Sequence, residues 1–389
     1  MWVGKPLKYD GLPHLSDADA IIPMLAQVAA DGVSDISIRS DDPVLVLKQG
    51  LWYSITPYRL NNSQVERILK KLTGSENVVA KLSGGDDFDK ALTIDDQHRK
   101  NAHGDPITYR FRLNATSNFS GSGLGFHAVL RSIPSSPPSF DAIGFPDELR
   151  ERFAIEQGSF IIAGPTGSGK TTTFAACERE ILEGDTPIKG AILTYEAPVE
   201  FLFHEVESEH SFISQVEIGT QLRTFAAGVR NAMRRKPSLI VIGELRDEET
   251  IAAAIQGSLT GHPIFGTTHG NSSMEVIQRL VQPFALDQQN MMFASIVQAS
   301  RLMMSQTLVR SEITEKLVCI RDWIYLSNDD KERLGKAGLS DHVALLKEFM
   351  VDDTKCRTMK RSIDLAYEDE LLSEPQVQQL YRRFGVEDD

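Results

Sequence analysis

Between residues 159 and 173 an apolar run, Phe160-Ile161-Ile162-Ala163, feeds directly into Gly164-Pro165-Thr166-Gly167-Ser168-Gly169-Lys170-Thr171-Thr172, and residues 172–182 continue at helical spacing. Strand, glycine-rich turn and helix in that order build a phosphate-binding P-loop. The glycines let the backbone curl so that successive N–H groups face one anion, and the dipole of the following helix adds positive potential. In such a loop Lys170 meets the β- and γ-phosphates and the Thr171 hydroxyl ligates Mg²⁺, so the pattern implies a nucleotide such as ATP with Mg²⁺. A chance glycine-rich turn would not need an apolar strand before it and a helix behind it.

Four short apolar runs, at 160–163, 191–194, 239–242 and 264–267, alternate with helical stretches. Continuous apolar runs of this length suit strands buried on both faces, and the alternation predicts a parallel sheet with crossover helices. Reactive groups then belong at the carboxyl ends of the strands. Leu239-Ile240-Val241-Ile242-Gly243-Glu244 ends there in a carboxylate that can hold Mg²⁺ or its water, although an acidic start to the next helix would read the same way. Glu196 stands just past the 191–194 run, where a carboxylate can orient and deprotonate an attacking water; a solvated loop acid is the alternative. His262 and His269 bracket the 264–267 run, either as γ-phosphate sensors or as plain strand-end caps.

The preceding part of the chain has a different rhythm. Helix signals near 16–31 and 62–74 surround strand signals at 32–38, 44–48 and 51–53, with Gln49-Gly50 as a hairpin turn, and two further strand candidates follow at 107–115 and 124–133. These predict a small α+β domain over residues 1–131. Ser132-Ile133-Pro134-Ser135-Ser136-Pro137-Pro138-Ser139 has little capacity for helix or ladder hydrogen bonds and reads as the start of a linker over 132–146, leaving 147–389 as the nucleotide domain. Arg110 and Arg112 share a strand face and Arg131 closes the last strand before the linker. They are solvated strand charges or arginine fingers reaching a phosphate from outside the P-loop domain. After residue 271 the pattern turns helical over 274–280 and 288–304, is broken by strands at 317–320 and 323–326, and ends in helices near 342–350, 361–371 and 374–384.

A formal charge of −13 argues against a surface that coats nucleic acid, so no stable nucleic-acid binding is expected. Cys177, Cys319 and Cys356 are far apart in sequence, which suggests a reducing compartment without structural zinc. The N-terminal Met1-Trp2-Val3-Gly4-Lys5-Pro6 lacks the apolar core of a signal peptide and no segment approaches membrane-spanning length, so a cytoplasmic protein without a direct membrane span is expected.

The order of these motifs resembles the hexameric ATPases of type IV pilus, type II and type IV secretion systems. The resemblance rests on residues 32–38, Arg110-Phe111-Arg112-Leu113-Asn114, the P-loop, the Glu196 segment, Ile242-Gly243-Glu244-Leu245-Arg246-Asp247 and residues 260–269. It implies an α/β chain with an N-terminal PAS-like domain followed by a RecA-like ATPase domain and C-terminal helices, assembled as a homo-hexameric ring. It further implies Walker A roles for Lys170 and Thr171, an Asp-box role for Glu196, a Walker B role for Glu244 and a histidine box at His262 and His269. Arg110, Arg112 and Arg131 would then approach the nucleotide from the N-terminal domain.

Departures narrow the resemblance. Glu196-Ala197-Pro198 replaces the usual Glu-Asp-Pro, and Arg234-Arg235-Lys236-Pro237-Ser238 lacks the usual Asp before the Walker B strand. A tetracysteine insert is absent, and Lys360-Arg361-Ser362-Ile363-Asp364-Leu365-Ala366 stands where retraction ATPases carry Ala-Ile-Arg-Ala-Gly-Glu-Arg. The chain looks most like the Dot/Icm ATPases of type IVB secretion and related IncI conjugation ATPases. That implies docking on the cytoplasmic face of an inner-membrane secretion or conjugation complex through its coupling proteins. A pilus retraction motor and a nucleotide-gated docking scaffold remain as alternatives.

Overall fold

The computed structural model describes residues 4–48, 50–100, 104–121, 123–133, 136–352 and 354–386. Met1-Trp2-Val3, Gln49 of the expected hairpin turn and Pro134-Ser135 of the expected linker lie outside them. The chain divides into two compact units, Met1–Ser135 and Ser136–Asp389.

Among the described residues of the first unit, β1 (Asp35–Arg39), β2 (Leu45–Lys48), β3 (Leu51–Ser54), β4 (Phe88–Lys100), β5 (Pro106–Ser120) and β6 (Gly123–Ile133) form an antiparallel sheet in the order β3-β2-β1-β6-β5-β4. Its apolar face is covered by Ile21–Ala29 and by the helix Asn62–Thr73, whose Val65, Ile68, Leu69 and Leu72 are buried. That second helix is delimited by its caps: Asn61 and Gln64 exchange capping-box hydrogen bonds, and Gly74 closes it in the left-handed region at φ 64°. β4 carries no apolar run and was not expected. Its sequence, Phe88-Asp89-Lys90-Ala91-Leu92-Thr93-Ile94, has only a short alternation, in which Leu92 and Ile94 enter the core while Thr93 and Asp95 face solvent, and the rest of the strand is held by pairing along β5. β6 runs through Ile133, so Ser132 and Ile133 belong to the sheet and not to a linker.

In the second unit the central strands β7 (Ser159–Ala163), β8 (Gly190–Glu196), β9 (Ser211–Glu217), β10 (Leu239–Ile242), β11 (Ile264–Thr268) and β12 (Ser300–Arg310) are parallel. β13 (Leu317–Tyr325) and β14 (Cys356–Arg357) extend the sheet antiparallel, giving the order β14-β13-β12-β7-β11-β10-β8-β9. All four expected apolar runs are adjacent parallel strands, and β7, β10 and β11 are buried along their whole length. Helices cover both faces, and the two apolar clusters on either side of the sheet include Ile161 and Ile240 on one and Phe160 and Val241 on the other. Phe140 and Phe145 pack on Phe153 in the second of these clusters, so part of the expected linker is core of this unit.

Two strands depart from expectation. The helix read over 288–304 ends at Ala299 and the chain continues as β12. Leu302, Met303 and Met304 favour helices intrinsically, but β12 is buried between β7 and β13, where an apolar run with no period of two still fits a ladder. The two short strands read at 317–320 and 323–326 are one strand, because the charged pair between them is buried in the sheet and held by hydrogen bonds at one end of each side chain. Arg321 donates to the carbonyls of Gly144 and Ile143, and Asp322 accepts from Ser273.

Candidate active site

The P-loop stands where β7 ends and the helix Lys170–Glu183 begins. Two of its glycines have no substitute. Gly164 has φ 158°, and a Cβ on it would lie 2.6 Å from the Gln306 carbonyl oxygen; Gly169 starts the helix in the left-handed region at φ 83°. Thr166, Gly167, Ser168, Gly169, Lys170, Thr171 and Thr172 line a cleft of about 400 Å³ together with Glu196, Glu244 and His269. Four strand ends, those of β7, β8, β10 and β11, thus bring the expected residues to one place, as the parallel sheet requires.

Lys170 bends back over the loop, donating from Nζ to the Gly164 carbonyl at 2.8 Å and the Pro165 carbonyl at 3.0 Å. Burial pulls its pKa below the ordinary lysine value, with Glu244 and Glu200 opposing the shift. The Ser168 hydroxyl is buried inside the loop without a hydrogen-bond partner. An ammonium over a curled, glycine-rich backbone and an unspent donor fit an oxyanion, and the Thr171 hydroxyl with the Glu244 carboxylate are the hard oxygen donors that suit Mg²⁺ beside a phosphate. Nucleotide and Mg²⁺ are therefore compatible with the residues present.

Glu196 is the last residue of β8 and 9 % exposed. Its Oε1 accepts from Thr194 Oγ1 at 2.7 Å and from Gln215 Nε2 at 3.2 Å. Burial raises its pKa, and those donors together with the Glu200 backbone amide oppose the rise. A carboxylate moved toward neutrality while held by two side chains is a stronger and better aimed base than a solvated one. His269 Nε2 donates to Glu244 Oε1 at 3.1 Å, linking the ends of β10 and β11. The Thr267 hydroxyl donates to the Gly243 carbonyl on the same link.

Other expected residues stand elsewhere. His262 precedes β11 whereas His269 follows it, so it occupies the opposite strand end and does not line the cleft. Its Nδ1 lies 3.3 Å from the Gly257 carbonyl at the end of the helix Glu248–Leu259, the position of a local cap. Arg110, Arg112 and Arg131 are in the first unit. Arg112 and Arg131 face each other across β5 and β6, each offset by an acid of the same sheet, Arg112 by Asp89 and Arg131 by Asp35, both at 2.8 Å. Arg110 is 5 % exposed.

The structure adds residues that the sequence did not single out. Gln215 on β9 and Thr194 on β8 orient Glu196; only the period-two spacing of Thr194 and Glu196 hinted at it. Glu178 is fully buried on the P-loop helix and lines the same small cavity as Glu196 and Thr171. Burial, then the nearby Glu196, push its pKa well above the carboxylate range. Its protonated form is therefore favoured by folding, and stability is lost as pH rises from the unfolded carboxyl value toward the folded one. Glu178→Met is expected to raise unfolding stability at pH 7.5 by ~1 kcal/mol or more and to flatten this dependence, read by urea melts at pH 5 and 7.5. A loss of stability at pH 7.5 would mean that the carboxyl has a partner which holds it there.

Residues 103–360 match the family model described as type II/IV secretion system protein. The type IV pilus retraction ATPase PilT of Pseudomonas aeruginosa is 30 % identical over 291 residues, which is 75 % of this chain and 78 % of that one. The type II secretion system protein E of Aeromonas hydrophila is 29 % identical over 281 residues, 68 % of this chain but only 50 % of the relative. Among solved structures, the ATPase DotB of Legionella pneumophila superposes with a TM-score of 0.83 at 30 % identity, covering 97 % of this chain and 99 % of that one. With its P-loop and strand-end carboxylates inside the matched span, the chain belongs to the type II/IV secretion system protein family.

Proposed function

We propose that this protein is a Mg²⁺-dependent ATPase that works as a cytoplasmic ring, powering a type IVB secretion or conjugative transfer system. It is an ATP hydrolase of its family. The observation that carries the chemistry is the convergence of Lys170, Thr171, Glu196, Glu244 and His269 on one cleft. What favours a DotB-like machine is the TM-score of 0.83 at 30 % identity, against 0.75 at 24 % for the pilus retraction motor PilT with bound ADP.

In this reading the P-loop amides and Lys170 hold the phosphates, leaving the Gly164 and Pro165 carbonyls as the lysine turns to the ligand. The Thr171 hydroxyl and the Glu244 carboxylate would hold Mg²⁺, which would supply charge neutralisation for the phosphates. Glu196, aimed by Thr194 and Gln215, takes the proton of the attacking water. His269 on Glu244 reports the state of the γ-phosphate to β11. The first unit serves as the PAS-like domain and the second as the RecA-like one, with Arg110, Arg112 and Arg131 offered to the nucleotide in a homo-hexamer. For the two side chains whose partners are given above, that requires Arg112 to leave Asp89 and Arg131 to leave Asp35.

Purified protein is expected to release phosphate from ATP with Mg²⁺ and to lose at least 100-fold of that rate in excess EDTA. Deletion of the gene is expected to abolish effector export or plasmid transfer. The kinship with PilT favours one second reading, a pilus retraction motor. Deletion that leaves export and transfer intact but stops twitching would select it. Turnover at the same rate in EDTA would reject both.

A further inference from the structure

Gln306 is 1 % exposed on β12, the strand that continues the sheet beside β7, and the register Ser305↔Ala163 sets it level with the first glycine of the P-loop. Its side chain does two things at once. Nε2 donates to the Ser168 carbonyl at 2.6 Å, and Oε1 accepts from Thr173 Oγ1 in the first turn of the P-loop helix at 2.9 Å. Its own carbonyl oxygen closes the space beside Gly164. One residue from a neighbouring strand therefore touches the start of the loop, its last peptide and the helix behind it.

We propose that Gln306 is a positioning residue that sets the P-loop amides for phosphate before nucleotide arrives, a role that rests on the loop being the nucleotide site. The geometry follows from the planar trans peptide, in which C=O and N–H point in opposite directions. Fixing the Ser168 carbonyl outward on Gln306 turns the Gly169 N–H inward, toward the anion. At φ 83° Gly169 has the freedom to turn that peptide over, so without the anchor the amide has no fixed aim. The bond from Thr173 fixes the register of the helix whose dipole backs the same anion. Ligand and loop then meet without reordering, and affinity rises because less freedom is lost on binding.

The effect falls on binding and not on chemistry, since the same amides face the phosphates before and during the reaction. The test is titration of the full-length protein with N-methylanthraniloyl-ADP and Mg²⁺, together with steady-state ATP turnover and thermal melts of the nucleotide-free protein. Gln306→Met keeps length and volume but makes neither bond. Gln306→Glu keeps the acceptor for Thr173 and loses the donor to Ser168. Both are expected to raise the Kd about 10-fold and KM in parallel, with kcat within twofold of the parent. Thr173→Val, which spares the Ser168 anchor, is expected to cost about threefold.

A loop part that only supported the fold would lower kcat through a smaller active fraction and leave KM alone. That result overturns the proposal, as does an unchanged Kd in variants that melt within a few degrees of the parent. If Gln306→Glu binds like the parent, the Ser168 anchor is not what matters and the proposal also fails. Failure of the parent protein itself to bind the probe would instead reject the nucleotide site, so the two failures are told apart.

Discussion

Glu196→Gln is expected to lower kcat for ATP hydrolysis by about 10²- to 10³-fold while nucleotide affinity stays within threefold. The substitution is nearly isosteric, and the new amide oxygen can still accept from Thr194 and Gln215, which hold the native Oε1 at 2.7 and 3.2 Å. Position and packing are kept while basicity is lost. The pH profile supplies the second readout. Burial raises the Glu196 pKa, so in the parent the acid limb of kcat lies above the range of a solvated carboxylate, and turnover falls as pH drops through it and protonates the base. In Glu196→Gln that limb should vanish from the residual rate. Phosphate-release rates between pH 5 and 9, with bound fraction checked at each pH, decide it. A variant with parental kcat would show that the proton goes elsewhere.

The same residue shows how far the sequence was legible. An apolar strand ending in a carboxylate is visible from one sequence, because a parallel strand buried on both faces must read as an unbroken apolar run and its last residue must emerge at the reactive edge. Glu196 and Glu244 could be found that way, and Lys170 by the glycine-rich turn between strand and helix. Gln215 and Gln306 could not: each acts through a strand pairing, β8 with β9 and β7 with β12, and pairing across long separations leaves no local pattern. β12 was read as helix because Leu302, Met303 and Met304 satisfy helix propensity equally well, and only its place between β7 and β13 decides the matter. His262 does not line the cleft: it precedes β11 and so stands at the amino end of that strand, away from the edge where the carboxylates gather.

Lys170→Ala is expected to weaken nucleotide binding by about 10²- to 10³-fold and to reduce turnover below detection. The magnitude comes from the lost charge-assisted bonds, each worth roughly 1.5–3 kcal/mol, where 1.4 kcal/mol is tenfold in affinity. The half-buried ammonium is poised for the exchange. In the absence of nucleotide it rests on the Gly164 and Pro165 carbonyls, uncharged acceptors that a phosphate oxyanion outcompetes. Its pKa is lowered by burial, so an arriving phosphate gains a cation already stripped of part of its water. Lys170→Arg should not rescue. A planar guanidinium is wider than the ammonium, which the curled loop holds half-buried at 2.8 and 3.0 Å from two of its own carbonyls, so the fork cannot take the same place beside the phosphates. Fluorescent-nucleotide titrations of the two variants beside the parent separate charge from shape: binding restored by arginine would mean that positive charge alone suffices. Parental affinity in Lys170→Ala would remove the phosphate site from this loop, and the roles assigned to Thr171, Glu196 and Glu244 would go with it.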